Sequence, residues 1–513
     1  MNNFFNTPDL IRNEILNTEN IILRNAERNY VGKSFVCVFF TRFCGVGCPF
    51  CFFRSPQKNA ANNIEDCFTD EGIDKFIEFA NKANIGYLQI SGGGEPFLMK
   101  KAILKSVEFI DTNRIMLVTS GMWASSNHTA EAYLEAIESA IFRRKTKSRV
   151  TVRLSVSEGH SQKLGLKPLI NLIEVFSRKY RNHEYFTLQL KTFKEDNTLL
   201  DYLSSRNCKI DKIGKNESDD SMHKKVIPYK YEVTFEDGYK VIMGISRVFN
   251  PSMKPNLHDY DSIKDTILVY DKDVDQSEND YPSVVFNSND KNGLDWIIEY
   301  NGNICTWQNR VNDNYLNIYE DKYEDIYDKT FADPLTLSYI EKGSTYRDNI
   351  ISEITTRPVT LMKAVSVRDY AGNCLFEDEK VRLYYTVRVL QDYAREGRLS
   401  IDKLSIRLQE IINLSLDNLI ALYKDSSYSI VDFEIKKNGN DPIKFLVFLE
   451  LIKLGHFELK EAEIQKAVDH YNSIVCEEKK LLNVDDVLPG LGLDHERLLT
   501  NRYIEIKDMQ ILH

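Results

Sequence analysis

Between residues 35 and 192 short apolar runs alternate with amphipathic stretches, and that rhythm limits the fold more than any other feature of the chain. Phe35–Phe40 reads as a buried strand leading into a cysteine-bearing loop. Thr69 has the chemistry of a helix N-cap, with Asp70 and Glu71 in the first turn and Ile73, Phe76, Ile77 and Ala80 at helical spacing. Tyr87–Ile90 is the next strand, ending at Ser91-Gly-Gly-Gly-Glu-Pro96. Helices near Lys101–Ile110, Ala130–Phe142 and Pro168–Tyr180 then separate strands at Ile115–Thr119, Val150–Val156 and Phe186–Thr192. Strand–helix repetition of this kind implies a parallel sheet, open or closed into a barrel.

The rhythm breaks after about residue 205. Lys209–Val226 is polar and reads as a loop, and Tyr229–Ser246 reads as a hairpin turning at Asp237-Gly238. Pro251–Asp259 and Lys272–Gly293 are polar connections, and a second hairpin is expected at Trp296–Trp307 around Asn301-Gly302. From about residue 346 the pattern is mainly helical. One helix is well marked: Asp441 caps it, Pro442 takes its first position and Gly455 stops it. A chain of 513 residues exceeds one compact core, and the expected division is 1–30 as a lead segment, 31–250 as the core, 251–345 as a hairpin and loop extension, and 346–513 as a helical region.

Charge and cysteine usage narrow the function classes. A formal net charge of −10 argues against nucleic acid as the main partner, since phosphate binding needs a basic footprint. No apolar run reaches the roughly 20 residues that span a bilayer, and Met1–Tyr30 has no apolar signal region, so no membrane partner is expected and the cytoplasm is the default location. Of nine cysteines, six (Cys37, Cys67, Cys208, Cys305, Cys374, Cys476) are scattered and read as small buried hydrophobes.

The other three form Cys44-Gly-Val-Gly-Cys48-Pro-Phe-Cys51, a C-x3-C-x2-C loop directly after a strand. Thiolates at this spacing bind zinc or an iron–sulfur cluster. Gly45 and Gly47 let the loop wrap closely around a metal group. Structural zinc wants a fourth ligand, and no Cys or His follows Cys51 at short spacing. Three ligands suit a four-iron cubane with one iron left open, although catalytic zinc also uses three.

With Phe50 before its last cysteine, the triplet resembles the signature of the radical S-adenosylmethionine (SAM) superfamily. Gly92, Gly93, Gly94 and Glu95 at the end of the next strand resemble that family's Gly-Gly-Glu turn, where backbone approaches a ligand and a carboxylate can meet an amine. Ser120 ends the third strand, and Ser155, Ser157 and Glu158 end the fourth, like the stretch that contacts the cofactor's ribose and carboxylate. Ser155 is the first candidate for the ribose.

The resemblance covers roughly residues 31–200. It implies an α/β fold, a partial (β/α)6 barrel carrying the hairpin extension and the helical region. It also implies that Cys44, Cys48 and Cys51 hold a 4Fe-4S cluster, and that SAM binds the open iron and is cleaved to a 5′-deoxyadenosyl radical. The radical then abstracts hydrogen from a substrate. A reductant such as flavodoxin or ferredoxin supplies the electron. The hairpin around Cys305 faintly resembles the start of an auxiliary-cluster module, but the companion cysteines are absent and one cluster is expected. His160 reads first as a solvent-facing or helix-capping residue, Trp307 as a core aromatic and Arg368-Asp369-Tyr370 as a domain-interface ion pair, with a place near the site as the second reading of each.

The substrate is not fixed by these motifs. The length of the C-terminal part favours a peptide over a small metabolite, and the acidic balance marks RNA down. The alternative from a different class is a non-catalytic protein, stapled by zinc or sensing through an iron–sulfur cluster.

Overall fold

The computed structural model describes residues 4–18, 21–22, 34–48, 67–193, 196–214, 229–246, 287–288, 291–292, 295–306, 316–354, 379–425, 430–440 and 461–475, with positions 442, 445, 448, 449, 452 and 459. Near the chain start, α1 (Pro8–Asn17) is followed by β1 (Ser34–Val38), whose five residues are all buried. Next come α2 (Asp70–Lys82), β2 (Ile85–Ile90), α3 (Lys100–Phe109), β3 (Arg114–Thr119), α4 (Asn127–Arg143) and β4 (Arg149–Ser155). Thr69 caps α2 as its sequence implies, its hydroxyl accepting from the Gly72 N–H at 3.0 Å.

After β4 the chain forms α5 (Glu158–Leu164), α6 (Lys167–Val175) with a π-helical turn over Phe176–Tyr180, β5 (Phe186–Phe193) and α7 (Thr198–Ser205). A meander follows, made of β6 (Lys209–Gly214), β7 (Tyr229–Thr234) and β8 (Lys240–Ser246). Gly238 takes the left-handed conformation in the expected β7–β8 turn. One expectation is corrected here. The segment 209–214, read as loop, is an edge strand antiparallel to β7. Its lysines and aspartate hide the pattern, and charged side chains are what a solvent-exposed edge tolerates.

With β11 (Asp295–Ile298) and β12 (Ile304–Thr306), the main sheet has ten strands among the described residues, in the order β12-β11-β1-β2-β3-β4-β5-β8-β7-β6. From β11 to β8 every neighbouring pair is parallel, and hairpin partners close both ends. The fold is therefore mixed α/β with a large, mainly parallel, open sheet, in keeping with a partial barrel. Two-residue strands β9 (Asn287–Ser288) and β10 (Lys291–Asn292) pair separately. The hairpin of β11 (Asp295–Ile298) and β12 (Ile304–Thr306) pairs with β1, so this part of the 251–345 segment shares the core sheet. Residues 251–259 lie outside the described set.

Strand parity creates two apolar layers. Val36, Val38, Leu88, Ile90, Leu117, Val152, Leu154 and Leu190 join the helices in the main core. On the opposite face Phe35, Cys37, Phe39, Tyr87, Met116 and Ile297 form a second cluster.

The remaining described elements are mainly helical: α8 (Tyr323–Ala332), α9 (Pro334–Ser352), α10 (Glu379–Arg395), α11 (Ile406–Ile412), α12 (Leu416–Asp425), α13 (Ile430–Asn438) and α14 (Glu461–Ile474). In the helix expected after Pro442, positions 442, 445, 448, 449 and 452 are helical. Helix α10 is buried almost all round, with Arg388 held by Glu353 at 3.0 Å. The chain start packs against this region: Phe5 meets Tyr423 at 5.4 Å between ring centroids, and the Ser405 N–H donates to the Glu14 carboxylate at 2.7 Å. Among the described residues no helix is long and apolar enough to cross a membrane.

Because Phe5 is fully buried, truncating it removes a core aromatic whose partners lie some 380 to 420 residues away in sequence. Phe5→Ala is expected to cost about 3–5 kcal/mol, the usual range for an emptied aromatic site. Denaturant unfolding followed by fluorescence checks this, and a midpoint unchanged from the parent would show that the segment is not docked.

Candidate functional site

The sheet order decides which motifs meet. β1, β2, β3 and β4 lie side by side and parallel, so the segments after Val38, Ile90, Thr119 and Ser155 fall along one carboxyl edge. In parallel α/β sheets that edge is where ligands bind.

A close backbone contact there joins the glycine turn to the cysteine loop. The Glu95 N–H donates to the Phe43 carbonyl at 2.6 Å, one residue before Cys44. A Cβ on Gly94 would overlap that same carbonyl, and Gly93 has φ +97° with Phe39 and Thr41 close by. Glycine is thus required at both positions so that one backbone can press on another. Gly92 is half-buried beside them. From the other side, the Met122 side chain covers Gly45, close enough to meet any Cβ placed there.

The Glu95 carboxylate, 2% exposed, is turned towards the end of β3. Its Oε1 accepts from the Phe97 N–H at 3.1 Å and the Thr119 hydroxyl at 2.7 Å. Its Oε2 accepts from the Ser120 N–H at 2.8 Å and the Ser120 hydroxyl at 2.5 Å. Thr119 in turn accepts from the Gly121 N–H and from Trp123 Nε1 at 3.0 Å, so a directed chain of donors ends on the carboxylate. Burial pushes this carboxyl above its ordinary value, and the four donors pull it back. Four donors fill the lone-pair sites of one carboxylate. Thr119 stands beside Ser120 at the strand end that the sequence reading marks, whereas Phe97 and Phe43 carry no sequence signal, because each makes its contact through backbone.

Cys48 is buried and Cys44 half-buried, flanking Val46 and a left-handed Gly47 with φ +64°. Cys67, read as a scattered hydrophobe, is bridged to the same loop by its Sγ, 3.1 Å from the Thr41 hydroxyl. Among the described residues no three His, Cys, Asp or Glu side chains converge as metal ligands; Cys51 lies outside that set, as do Phe50, Trp307, Arg368, Asp369 and Tyr370. The part of the loop that is described fits a cluster: soft thiol donors, left-handed glycine, and a neighbouring carboxylate facing away.

On β4, Ser155 is half-buried at the strand end. Ser157 is fully buried at the N-cap position of α5, its hydroxyl 2.7 Å from His160 Nδ1. Glu158 is exposed, and its N–H donates to Asp196 at 2.6 Å. The sequence offered no sign of Asp196, which bridges this turn to the Thr198 N–H. Burial pushes His160 down to about 4, against a weaker opposing pull from Asp196.

Residues 30–165, about a quarter of the chain, match a family described as a 4Fe-4S single cluster domain. The match points to a 4Fe-4S cluster protein of the radical SAM type. No curated protein matches the chain. All three cysteines of the triplet, the glycine–glutamate turn and the Ser155–Glu158 stretch fall inside the matched residues.

Two outcomes follow from this geometry. Glu95→Gln places an amide N–H₂ against a backbone N–H, since both oxygens now accept from one; it is expected to lower stability by about 1–3 kcal/mol. Urea unfolding reads the change, and an unaltered midpoint would mean the carboxylate is not held as described. His160 carries a depressed folded-state value, so it stabilises the fold above its ordinary 6.5 and loses that contribution as pH falls towards about 4. Stability should drop by up to about 3 kcal/mol across that window, and His160→Gln should flatten this limb in pH-dependent unfolding.

Proposed function

We propose that this chain is a radical SAM enzyme. The observation that carries the reading is the locked contact between the glycine–glutamate turn and the cysteine loop, at the carboxyl edge of a parallel sheet. When bound, a 4Fe-4S cluster on Cys44, Cys48 and Cys51 supplies the electron that cleaves SAM to methionine and a 5′-deoxyadenosyl radical, which takes hydrogen from a substrate.

The residues of this chain do the placing. Three thiolates leave one iron open for the cofactor's amino and carboxylate groups. The backbone of Gly92, Gly93 and Gly94 gives the methionine end close approach, since no Cβ stands in the way. Glu95 acts as a positioning residue, holding Ser120 and the cysteine loop in register while its own lone pairs are taken. Phe50 is assigned to the cofactor by the resemblance alone, and Ser155 offers a hydroxyl for the ribose. Ser157 and Glu158 shape the turn behind Ser155, consistent with the Ser157–His160 contact. A flavodoxin or ferredoxin is the reductant. A peptide is the favoured substrate, because the helical region after residue 346 offers more docking surface than a small metabolite needs.

The test is anaerobic purification, reconstitution with iron and sulfide, reduction, and assay for 5′-deoxyadenosine. About four irons per chain are expected, together with deoxyadenosine formation. Cys48→Ala should abolish both, since two thiolates cannot hold a cubane firmly. Zinc in place of iron, or a cluster that never cleaves SAM, would move the protein to the non-catalytic class.

A further inference from the structure

The inner face of the sheet is divided between apolar and polar halves. Val152 and Leu154 belong to the helix-covered core, so Thr151, Arg153 and Ser155 of β4 face the other way. Towards β1 that inner face is mainly apolar, with the Gln89 amide donating to Cys37 Sγ at 3.7 Å, whereas towards β5 the register continues it with Gln189 beside Arg153 and Lys191 beside Ser155. Arg153 stands at the boundary, paired in register with Val118 on one side and Gln189 on the other.

Its side chain is 5% exposed, and its Nε and Nη1 make no hydrogen bond among the described residues. A guanidinium cannot escape burial by losing its proton. A buried charge with no counter-ion among the described residues is strongly unfavourable, so the site calls for an anion. Two carboxylates of the strand-end network are committed elsewhere, Glu95 to Thr119, Ser120 and Phe97, and Asp196 to the N–H groups of Glu158 and Thr198.

We propose that Arg153 binds a carboxylate of the substrate inside the polar half of the sheet, making the substrate a carboxylic acid or a peptide presenting one. One planar guanidinium beside one amide matches a carboxylate at two points, while a phosphate dianion calls for more donors. Arg153 lies two residues below Ser155, so the anion sits one layer inside the rim. The inference rests on the radical SAM reading for the cofactor's place at that rim.

The test uses the full reconstituted chain, with N-acetylglycine as the carboxylate probe and N-acetylglycinamide as its uncharged control. N-acetylglycine should raise the unfolding temperature of the parent and the amide should not. Arg153→Gln should lose that response, bind SAM as the parent does, and unfold no earlier than the parent without probe, because it removes an unpaired charge. A lower unfolding temperature would mark Arg153 as structural and overturn the proposal. So would equal stabilisation of parent and variant, or no response in the parent. A tenfold loss of SAM affinity in the variant would assign the guanidinium to the cofactor's own carboxylate, which also overturns it. If the parent binds no SAM yet responds to the probe through Arg153, the radical SAM reading fails and the anion site stands.

Discussion

Everything at the carboxyl edge of the sheet depends on how closely two backbone segments approach at Gly94 and Phe43. The loop that carries Cys44 cannot be fixed by the side chains of its own glycines. It is fixed instead by the Phe43 carbonyl, which accepts from the Glu95 N–H at a separation only glycine at 94 allows. The Glu95 side chain then ties the same turn to β3 through Thr119 and Ser120. One residue therefore couples three strand ends, its backbone to the first and its carboxylate to the third. A buried carboxylate is a costly tie, and it is tolerable because each oxygen has two donors. Such over-determined contacts are what hold a binding loop within the small tolerance that a metal group demands.

The division of the sheet's inner face follows from the same strands. β1 and β2 are buried on both faces, as strands covered on both sides generally are. β4 breaks that rule with Thr151, Arg153 and Ser155 alternating against Val150, Val152 and Leu154. In a strand whose outer face is covered by helices, alternation means that the inner face has polar work to do. The pattern Arg-Val-Thr-Val-Arg-Leu-Ser thus carries information about the lumen of the sheet that periodicity alone would assign to solvent.

Much of this architecture was legible in the sequence because it is local. The caps, the strand–helix alternation and both hairpin turns are written in neighbouring residues, and Thr69, Gly238 and Gly302 behave as their chemistry requires. The motifs were legible for the same reason. What escaped is non-local or backbone-mediated. Lys209–Gly214 is a strand only because β7 is there to pair with it. Phe43 matters through a carbonyl, which no residue type advertises. The docking of Phe4 and Phe5 against helices nearly four hundred residues away has no signature beyond two aromatic side chains near the start.

The hairpin of β11 and β12 shows what such non-local pairing does for the site. Without it β1 would be the edge of the sheet, and the strand feeding the cysteine loop would present unpaired N–H and C=O groups. Instead β11 runs parallel along β1 from Phe35 to Val38, and the Phe39 N–H donates to the Ile298 carbonyl at 2.9 Å. Phe79 of α2 closes over the outer face, edge-on to Trp296 at 5.7 Å, while Ile297 enters the inner cluster beside Cys37. The cysteine-bearing strand is therefore internal by virtue of a segment that enters the chain more than 250 residues later. Backbone pairing on both sides of β1, followed by the Phe43–Glu95 contact, leaves the loop little freedom before any metal arrives. Pre-organisation at this edge is thus a property of the whole sheet, with the glycine turn as its last step.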